Sequence, residues 1–435
     1  MHIFGGINMR YHELIEYITA GGADAAFTAL YGESAAQKRQ RALNAIAAFG
    51  RLYGEEGEVM LLSVPGRSEL SGNHTDHNHG RVIAASIDLD IIAVVRPRED
   101  SIVHLLSEGF RPNTVDLDRY TAPDESQLFT SNALIAGMAA CFREAGLRVG
   151  GFDAYTTSNV FKGSGLSSSA AFEVMMGTIF SHLYNDGKVD RVEIAKMAQV
   201  TENRFFGKPC GLMDQVACAH GGIVAIDFAD PAAPVITPMD FNLTAAGYAL
   251  CIINTGGSHA DLNDDYASVP AEMKAAAAAM GVPVLREADE QAFVAAIATL
   301  REKVGDRAIL RALHFFAENR RVEAQTKALL EGDLDRFLAG VLASGRSSFC
   351  YLQNVYTNKN VAEQGLSLAL AVTERALSDI PGTAWRVHGG GFAGTIQAFV
   401  PAQFAADYAA QMNAVFGEGA CHILHVRPTG AARLA

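Results

Sequence analysis

The chain is poor in positive charge. Its 435 residues include 35 Lys and Arg against 48 Asp and Glu, which gives a formal net charge of −13. Nucleic acids and anionic membranes are bound mainly through Lys and Arg, so this balance argues against both as partners. An anionic ligand must instead be held by local groups, such as helix N-termini and a few placed cations. The composition therefore favours an enzyme that acts on small molecules.

Cysteine and long apolar runs are also scarce. The six cysteines are scattered without a CxxC pair, so we expect reduced thiols in a cytoplasmic protein and no disulfide framework. No basic segment followed by an apolar run opens the chain, so no signal peptide is predicted. The longest apolar run, MKAAAAAMGVPVL, is shorter than the about 20 residues that span a bilayer. We expect a monomer with no membrane partner.

Apolar residues are plentiful, at 49% of the chain, as in globular proteins. A chain of 435 residues is too long for one ordinary core, so two domains are expected. The Pro-rich segment ADPAAPVITPMD, at 229–240, is the best linker candidate. It predicts an N-terminal domain over 1–240 and a C-terminal domain over 241–435.

Strand and helix patterns are mixed along the chain. Strands are predicted at 58–64, ending at Pro65-Gly66, and at 81–97. Helices are predicted at 129–146 and 167–184, where apolar residues recur at helical spacing. A long helical region precedes further strands near the C-terminus. These patterns predict an α+β or mixed α/β fold, with mixed sheets flanked by helices.

The segment KGSGLSSSAAF, residues 162–172, carries the clearest phosphate-binding pattern. Glycines let a backbone approach a phosphate closely, and free N–H groups at a helix N-terminus attract anions. Serine hydroxyls can cap the helix, bond phosphate oxygens or ligate Mg²⁺. The segment is not a Walker A loop, because GxxxxGK[ST] occurs nowhere in the chain. From these residues alone, a phosphate cradle and a Ser-rich cap on a core helix remain equally open.

Two further segments are ambiguous when each is taken alone. GGGFAG, at 389–394, lies between two strand-like runs and could be a bulge or tight turn without a ligand. TENRFFGKPCGLMDQV, at 201–216, places Glu202 near the end of a helical run and Asp214 in a Gly-bounded loop. A single Asp in a loop is more often a turn former or a cap.

The stretch SGNHTDHNHG, residues 71–80, has the residue types of a metal site. It supplies His74, Asp76, His77 and His79 within a few positions. Zinc sites commonly include Cys and use spacings that fit a helix or a turn, and no such partner lies nearby in the sequence. A loop of hydrogen-bonding groups for a polar ligand is the other interpretation.

Taken together, PGRSELSGNHTDHN, GLSSSA, CGLMDQ and GGGFAG resemble the galactokinase branch of the GHMP small-molecule kinases. The similarity runs from about Tyr31 to the C-terminus. It implies a two-domain architecture with the active site in the cleft between the domains. It also implies an ATP-dependent sugar 1-kinase, which phosphorylates galactose at its anomeric hydroxyl and uses ATP and Mg²⁺.

The resemblance also implies residue roles. The implied catalytic pair is Asp214, which accepts or orients the proton of the sugar hydroxyl, and Arg67 beside it. Ser169 and Glu202 would hold Mg²⁺ through hard oxygen atoms. The implied sugar-binding residues are Asn73, His74, Thr75, Asp76, Gly211 and Tyr266. The implied ATP-binding residues are Gly163, Ser164, Gly165, Leu166, Ser167, Ser168 and Ser169.

Two positions depart from the family pattern. The family carries Glu where this chain has Asn73, and that Glu accepts from a hydroxyl at the C6 end of the sugar. An amide can both accept and donate, but it bonds a hydroxyl more weakly than a carboxylate does. A related sugar, such as a 6-modified or 6-deoxy hexose, arabinose or an amino sugar, is therefore an alternative substrate. At Ser131-Asn132 the family commonly has an aromatic residue just before the Asn, so adenine stacking is expected to differ.

A non-catalytic sensor of sugar and ATP is the alternative from another class. Some relatives became such sensors after they lost part of the Ser-Ser-Ala stretch. Here GLSSSAA is intact, and Arg67 and Asp214 are both present. These residues favour the enzyme.

Overall fold

The computed structural model describes residues 8–160, 166–208, 210–257 and 262–435. Its α-helices are α1 (Tyr11–Thr19), α2 (Asp24–Tyr31), α3 (Ala35–Tyr53), α4 (Ser131–Glu144), α5 (Ser168–Tyr184), α6 (Arg191–Val200), α7 (Met213–His220), α8 (Asn263–Ala279), α9 (Glu290–Ala295), α10 (Ile297–Val304), α11 (Asp306–Leu330), α12 (Leu334–Ser347), α13 (Gly365–Leu377) and α14 (Ala402–Phe416). Its strands are β1 (Met9–Arg10), β2 (Glu58–Ser71), β3 (Arg81–Pro97), β4 (Ile102–Ser107), β5 (Asn113–Asp116), β6 (Phe152–Ser158), β7 (Ile223–Asp227), β8 (Val235–Met239), β9 (Tyr248–Asn254), β10 (Ala384–Val387), β11 (Thr395–Pro401), β12 (Cys421–Leu424) and β13 (Ala432–Arg433). Two π-helical turns, Thr201–Phe206 and Ser348–Leu352, follow α6 and α12.

The larger sheet has nine strands in the described residues, in the order β1-β2-β3-β6-β4-β5, with β13 beside β2 and β7 and β8 continuing from β3. It is mixed, because β4 and β6 are parallel whereas the other pairs are antiparallel. Strand β3 is buried along nearly all of its length. Helices α4, α5 and α7 contribute apolar side chains to the core that covers this sheet. The sheet therefore fixes where the N-terminal ends of α5 and α7 lie.

The smaller sheet is antiparallel, in the order β10-β11-β9-β12. Helices α13 and α14 pack on it in a separate core. After β12 the chain returns to the larger sheet, where β13 pairs with β2. The expected mixture of helices and mixed sheets is confirmed.

The Pro-rich segment 229–240 is only partly a linker. Its second half forms β8, which pairs with β7 at the end of the larger sheet. The transition between the two sheets therefore falls between Met239 and Tyr248.

Strand β2 does not end at Pro65-Gly66, so that prediction is wrong. The strand continues to Ser71, and its register to β3 shifts between Pro65 and Arg67 and again between Glu69 and Ser71. A proline lacks the N–H of a ladder hydrogen bond, and a bulge accommodates it within a strand. Arg67 and Glu69 are consequently fixed on a buried strand.

In the described ranges, no helix has both the length and the apolar character needed to cross a membrane. All six cysteines are free thiols.

Candidate active site

An ion pair links the larger sheet to the start of α7. Arg67 donates from Nε to Asp214 Oδ1 and from Nη2 to Asp214 Oδ2, each at 2.7 Å. The two parallel bonds fix the carboxylate in a forked geometry. The Arg67 side chain is 7% exposed and that of Asp214 31%. The pair therefore presents one carboxylate to a ligand while its cation is enclosed.

Asp214 lies in the first turn of α7 rather than in a loop, which corrects the expectation from sequence. Helix N-termini favour negative charge, and the Ser167 hydroxyl donates to Asp214 Oδ2. Burial alone would raise the pKa of Asp214, but the charge and hydrogen bonds of Arg67 and the bond from Ser167 lower it below its ordinary value. The carboxylate is thus ionised at neutral pH.

Two oxygen-bearing side chains meet beside the start of α5. Ser169 Oγ lies 3.4 Å from Glu202 Oε1, and Lys208 Nζ lies 3.2 Å from the same oxygen. A hydroxyl and a carboxylate are hard oxygen ligands of the kind that Mg²⁺ takes, with phosphate and water completing its shell. The donor set therefore fits Mg²⁺ bound together with a phosphate chain.

The sequence patterns did not identify three residues that surround Glu202, namely Gln215, Glu173 and Lys208. Gln215 Nε2 donates to Glu202 Oε2 at 2.9 Å and to Glu173 Oε2 at 3.1 Å, so it orients Glu202. Burial first, and the charge of Glu202 second, raise the pKa of Glu173 well above its ordinary value. Lys208, the third, lies in the segment 201–216. The positive charge of Lys208 was the only feature of the sequence that could have pointed to it as a site residue.

Residues 73–76 alternate between buried and partly exposed side chains. Asn73 and Thr75 are 0% exposed, whereas His74 and Asp76 are partly exposed. The Thr75 hydroxyl lies 2.9 Å from the carbonyl of Gly72 and 2.7 Å from that of Arg81. Direct sugar contact is expected of all four residues, and of these only His74 and Asp76 have partly exposed side chains.

The amide of Asn73 is fully engaged within the protein. Its Nδ2 donates to Glu69 Oε1 at 3.0 Å and to the carbonyl of Gly389 at 2.6 Å. Its Oδ1 accepts from Ser348 Oγ at 3.2 Å and from Asn354 Nδ2 at 2.8 Å. An amide group offers two donor hydrogens and two acceptor lone pairs, so this side chain has all its hydrogen bonds.

Asp76 lies against the backbone that precedes Asp214. A Cβ added at Gly211 would stand 1.8 Å from Asp76 Oδ2, so glycine is required there. Burial first, then the charges of Asp214 and Glu69, raise the pKa of Asp76 to about 6. Two carboxylates of opposite pKa shift therefore lie side by side.

The carbonyls of the triple glycine accept hydrogen bonds from three of the residues that were predicted to bind the sugar. The carbonyl of Gly389 accepts from Asn73, that of Gly390 from His74 Nε2 at 2.9 Å, and that of Gly391 from Tyr266 Oη at 2.9 Å. A carbonyl can only accept, so the Nε2 of His74 carries its proton. This row was not predicted, because GGGFAG alone gave no sign of its partners.

The remaining predictions concern a metal site at residues 71–80 and the ATP-binding segment. Among the residues with described placement, no group of three or more His, Cys, Asp or Glu could hold a metal ion, and this includes His77 and His79. Leu166, Ser167 and Ser168 lie at the start of α5. The Ser167 hydroxyl contacts Asp214, and the carbonyl of Leu166 accepts from the backbone N–H of Arg67 at 3.2 Å. Gly163, Ser164 and Gly165 lie outside the described residues.

The sequence of this chain is similar to those of known proteins. Residues 133–222 match the GHMP kinases N terminal domain, and residues 47–97 match the galactokinase galactose-binding signature. A galactokinase of Streptomyces coelicolor is 33% identical over 81% of this chain and 87% of its own length. One of Lactobacillus helveticus is 30% identical over 81% and 88%.

Solved structures show the same fold. Lactococcus lactis galactokinase, solved with galactose, is 26% identical, has a TM-score of 0.75 and matches 89% of this chain and 98% of its own. A mevalonate kinase at 12% identity, with a TM-score of 0.60 over 85% and 99% of the two chains, shares the fold.

The site and the fold together define a sugar kinase of the GHMP class, so the architecture expected from the motifs is confirmed. Within that class, the chain belongs to the galactokinase family.

Proposed function

We propose that this chain transfers the γ-phosphoryl group of ATP to the anomeric hydroxyl of galactose. The observation that carries the proposal is the forked Arg67–Asp214 pair, which holds an ionised carboxylate at the cleft beside Asp76. The names of the relatives support galactose as the acceptor sugar.

In this mechanism Asp214 accepts the hydrogen bond of the reacting hydroxyl and orients its oxygen. Arg67 keeps Asp214 ionised through its charge and its hydrogen bonds. Phosphoryl transfer depends mainly on positioning and on neutralisation of charge. The fixed carboxylate of Asp214 serves the first aim, and the guanidinium of Arg67 serves the second. The hydroxyl oxygen forms a bond to the γ-phosphorus as the bond from that phosphorus to ADP breaks, the hydroxyl proton passes to Asp214, and ADP leaves.

Ser169 and Glu202 would hold Mg²⁺, and Gln215 and Lys208 would orient Glu202. Bound Mg²⁺ neutralises phosphate charge. The backbone and serine hydroxyls at the start of α5, with Gly163, Ser164 and Gly165 before it, would cradle the phosphates.

For the sugar we assign direct contacts to His74, Asp76, Gly211 and Tyr266, and a supporting role to Asn73 and Thr75. The partial exposure of the first four residues and the enclosure of Asn73 and Thr75 support this division. The cleft would lie between domains at 1–240 and 241–435, in a monomeric cytoplasmic enzyme.

The test is ADP release with a panel of free sugars: galactose, a 6-deoxy galactose, arabinose and an amino sugar. Galactose should give the highest kcat/KM. Turnover of another sugar without turnover of galactose would contradict the proposal. Retained activity on removal of Mg²⁺ by a chelator would contradict the metal assignment.

A further inference from the structure

A polar pocket lies between the second half of α5, the start of α6 and strand β13. Its volume is about 340 Å³, which is within the size range of small-molecule sites. Its lining includes His182 from α5, Arg191 from α6 and Arg433 from β13. The chain as a whole is acidic, with a formal net charge of −13. Basic side chains from three separate elements therefore converge on one pocket of an acidic protein.

The three basic groups lie close enough together to act on one another. Burial first, then the charges of Arg433 and Arg191, lower the pKa of His182 to about 4. Burial also lowers the pKa of Arg191 and that of Arg433, but an arginine side chain stays charged in a protein. Two permanent positive charges thus face a neutral imidazole, and an anion bound between them would relieve their repulsion.

The pocket also offers an uncharged donor. The side chain of Ser181 is buried, and its Oγ accepts from the backbone N–H of Val189 at 3.3 Å. A hydroxyl that accepts one bond can still direct its hydrogen at a ligand. Among the described residues of the lining, Asp186 is the acidic one, and its side chain is 67% exposed and lies 3.4 Å from Lys188 Nζ. The enclosed part of the lining therefore favours an anion.

The pocket is separate from the candidate active site but shares helices with it. Ser169 and His182 lie on the same helix, α5, and at 1.5 Å per residue they are about 20 Å apart along its axis. Helix α6 begins at Arg191 and runs into the π-helical turn that carries Glu202. Arg191 Nη1 also donates to the carbonyl of His220, at the end of α7, at 3.3 Å. A ligand in the pocket would therefore touch the far ends of the helices that carry the site residues.

We infer that this pocket binds a small phosphate-bearing anion, either a phosphate monoester or inorganic phosphate. A guanidinium group matches the geometry of a phosphate through two parallel N–H bonds, and its charge strengthens those bonds. Arg191 and Arg433 supply this group from two sides, and His182 and Ser181 supply further donors. The inference goes beyond the proposed function and does not depend on it, because the pocket contains none of the residues assigned to sugar, ATP or Mg²⁺.

The first test is Arg191→Gln, with binding of glycerol 3-phosphate measured by calorimetry in the absence of sugar and nucleotide. Loss of a charged donor should raise the Kd about tenfold or more. Arg119→Gln is the matched control, since it removes the same charge from a side chain that is 87% exposed and lies outside the pocket. Its Kd should equal that of the unaltered chain. Equal affinities in all three proteins would place the phosphate elsewhere and overturn the inference.

Asp186→Asn tests the pocket in the opposite direction. Removal of the acidic group should lower the Kd of glycerol 3-phosphate about two- to fivefold, as expected for an exposed charge. Asparagine adopts the left-handed φ of 55° at this position as readily as aspartate. Damage to the fold would weaken binding, so a gain in affinity separates a binding role from a structural one. A higher Kd in both Asp186→Asn and Arg191→Gln would overturn the inference.

The last test identifies the source of the phosphate. Inorganic phosphate and glycerol are titrated in the same way, and glycerol, which has no charge, should not bind. Equal Kd values for inorganic phosphate and glycerol 3-phosphate would assign the pocket to free phosphate, whereas a lower Kd for the ester would assign it to a phosphorylated metabolite. Absence of binding by both would overturn the inference. Because sugar and nucleotide are absent, a failure of galactose turnover would reject the proposed function alone.

Discussion

Two residues of strand β2, Arg67 and Glu69, each form an ion pair with a residue of another element, and the two pairs differ in exposure. Arg67–Asp214 keeps a carboxylate that is 31% exposed, whereas Glu69–Arg386 encloses side chains that are 6% and 0% exposed. The first leaves an acceptor within reach of a ligand. The second joins β2 of the larger sheet to β10 of the smaller one. The exposure of its carboxylate, rather than the chemistry of the pair, is what suits the first pair to the catalytic role proposed for it.

The largest effect is expected from Asp214→Asn, which removes the charge but keeps the shape of the open pair. Without an ionised acceptor for the hydroxyl proton, kcat should fall about 10²–10⁴-fold. Sugar binding, followed by calorimetry, should change little.

Asp227→Asn is the matched control for this variant. Asp227 is 25% exposed and pairs with Arg81 and Arg286, so it resembles Asp214 but lies outside the proposed site. Its kcat should match that of the unaltered chain. Equal rates for Asp214→Asn and Asp227→Asn would remove the catalytic assignment.

The next largest effect is expected from Asn73→Glu, which tests the enclosed Glu69–Arg386 pair. This variant places a second carboxylate against Glu69, where Asn73 now donates a hydrogen bond at 3.0 Å. An uncompensated buried charge costs about 3–5 kcal/mol, so the free energy of unfolding in urea should fall by about that amount. Adding Glu69→Gln removes the excess charge and should recover most of the loss.

Additive losses in that double variant would show that the two residues are not coupled. The control is an exposed pair: Arg39 and Asp24 are 36% and 53% exposed. Arg39→Ala should lower the free energy of unfolding by less than about 1 kcal/mol, as surface pairs do.

The smallest effect is expected from pH, and it distinguishes Asp76 from Asp214. The pKa of Asp76 is raised to about 6, so its carboxylate gains a proton as pH falls through 6 and is then no longer a charged hydrogen-bond acceptor for the sugar. KM for the sugar should therefore rise as pH falls through 6, by up to about tenfold per unit. The pKa of Asp214 is lowered, so kcat should stay flat over that range.

The Asp76→Asn variant checks the assignment. Its KM for the sugar should be higher at neutral pH and should no longer vary between pH 5 and about 7, because an amide does not titrate. A KM that still rises below pH 6 in this variant would assign the titration to another group.

The motifs predicted the family and the Arg67–Asp214 and Ser169–Glu202 pairs, because these residues stand in short, contiguous patterns. They could not predict that β2 runs through Pro65, since a bulge depends on pairing with a distant strand. Nor could they separate Asn73 from His74. Which of the two neighbours is enclosed is set by the hydrogen bonds of Asn73 with Gly389, Ser348 and Asn354, all far away in sequence.

The row of carbonyls at Gly389–Gly391 limits how this site can evolve. Main-chain carbonyls cannot be altered by point mutation, and a side chain at Gly391 would meet the carbonyl oxygen of Asn354 at 2.0 Å. Point mutation can instead change the side chains that donate to these carbonyls, which are Asn73, His74 and Tyr266. Under the proposed function, a new sugar preference is thus most accessible by exchange of His74, Tyr266 or Asp76 on an unchanged backbone template.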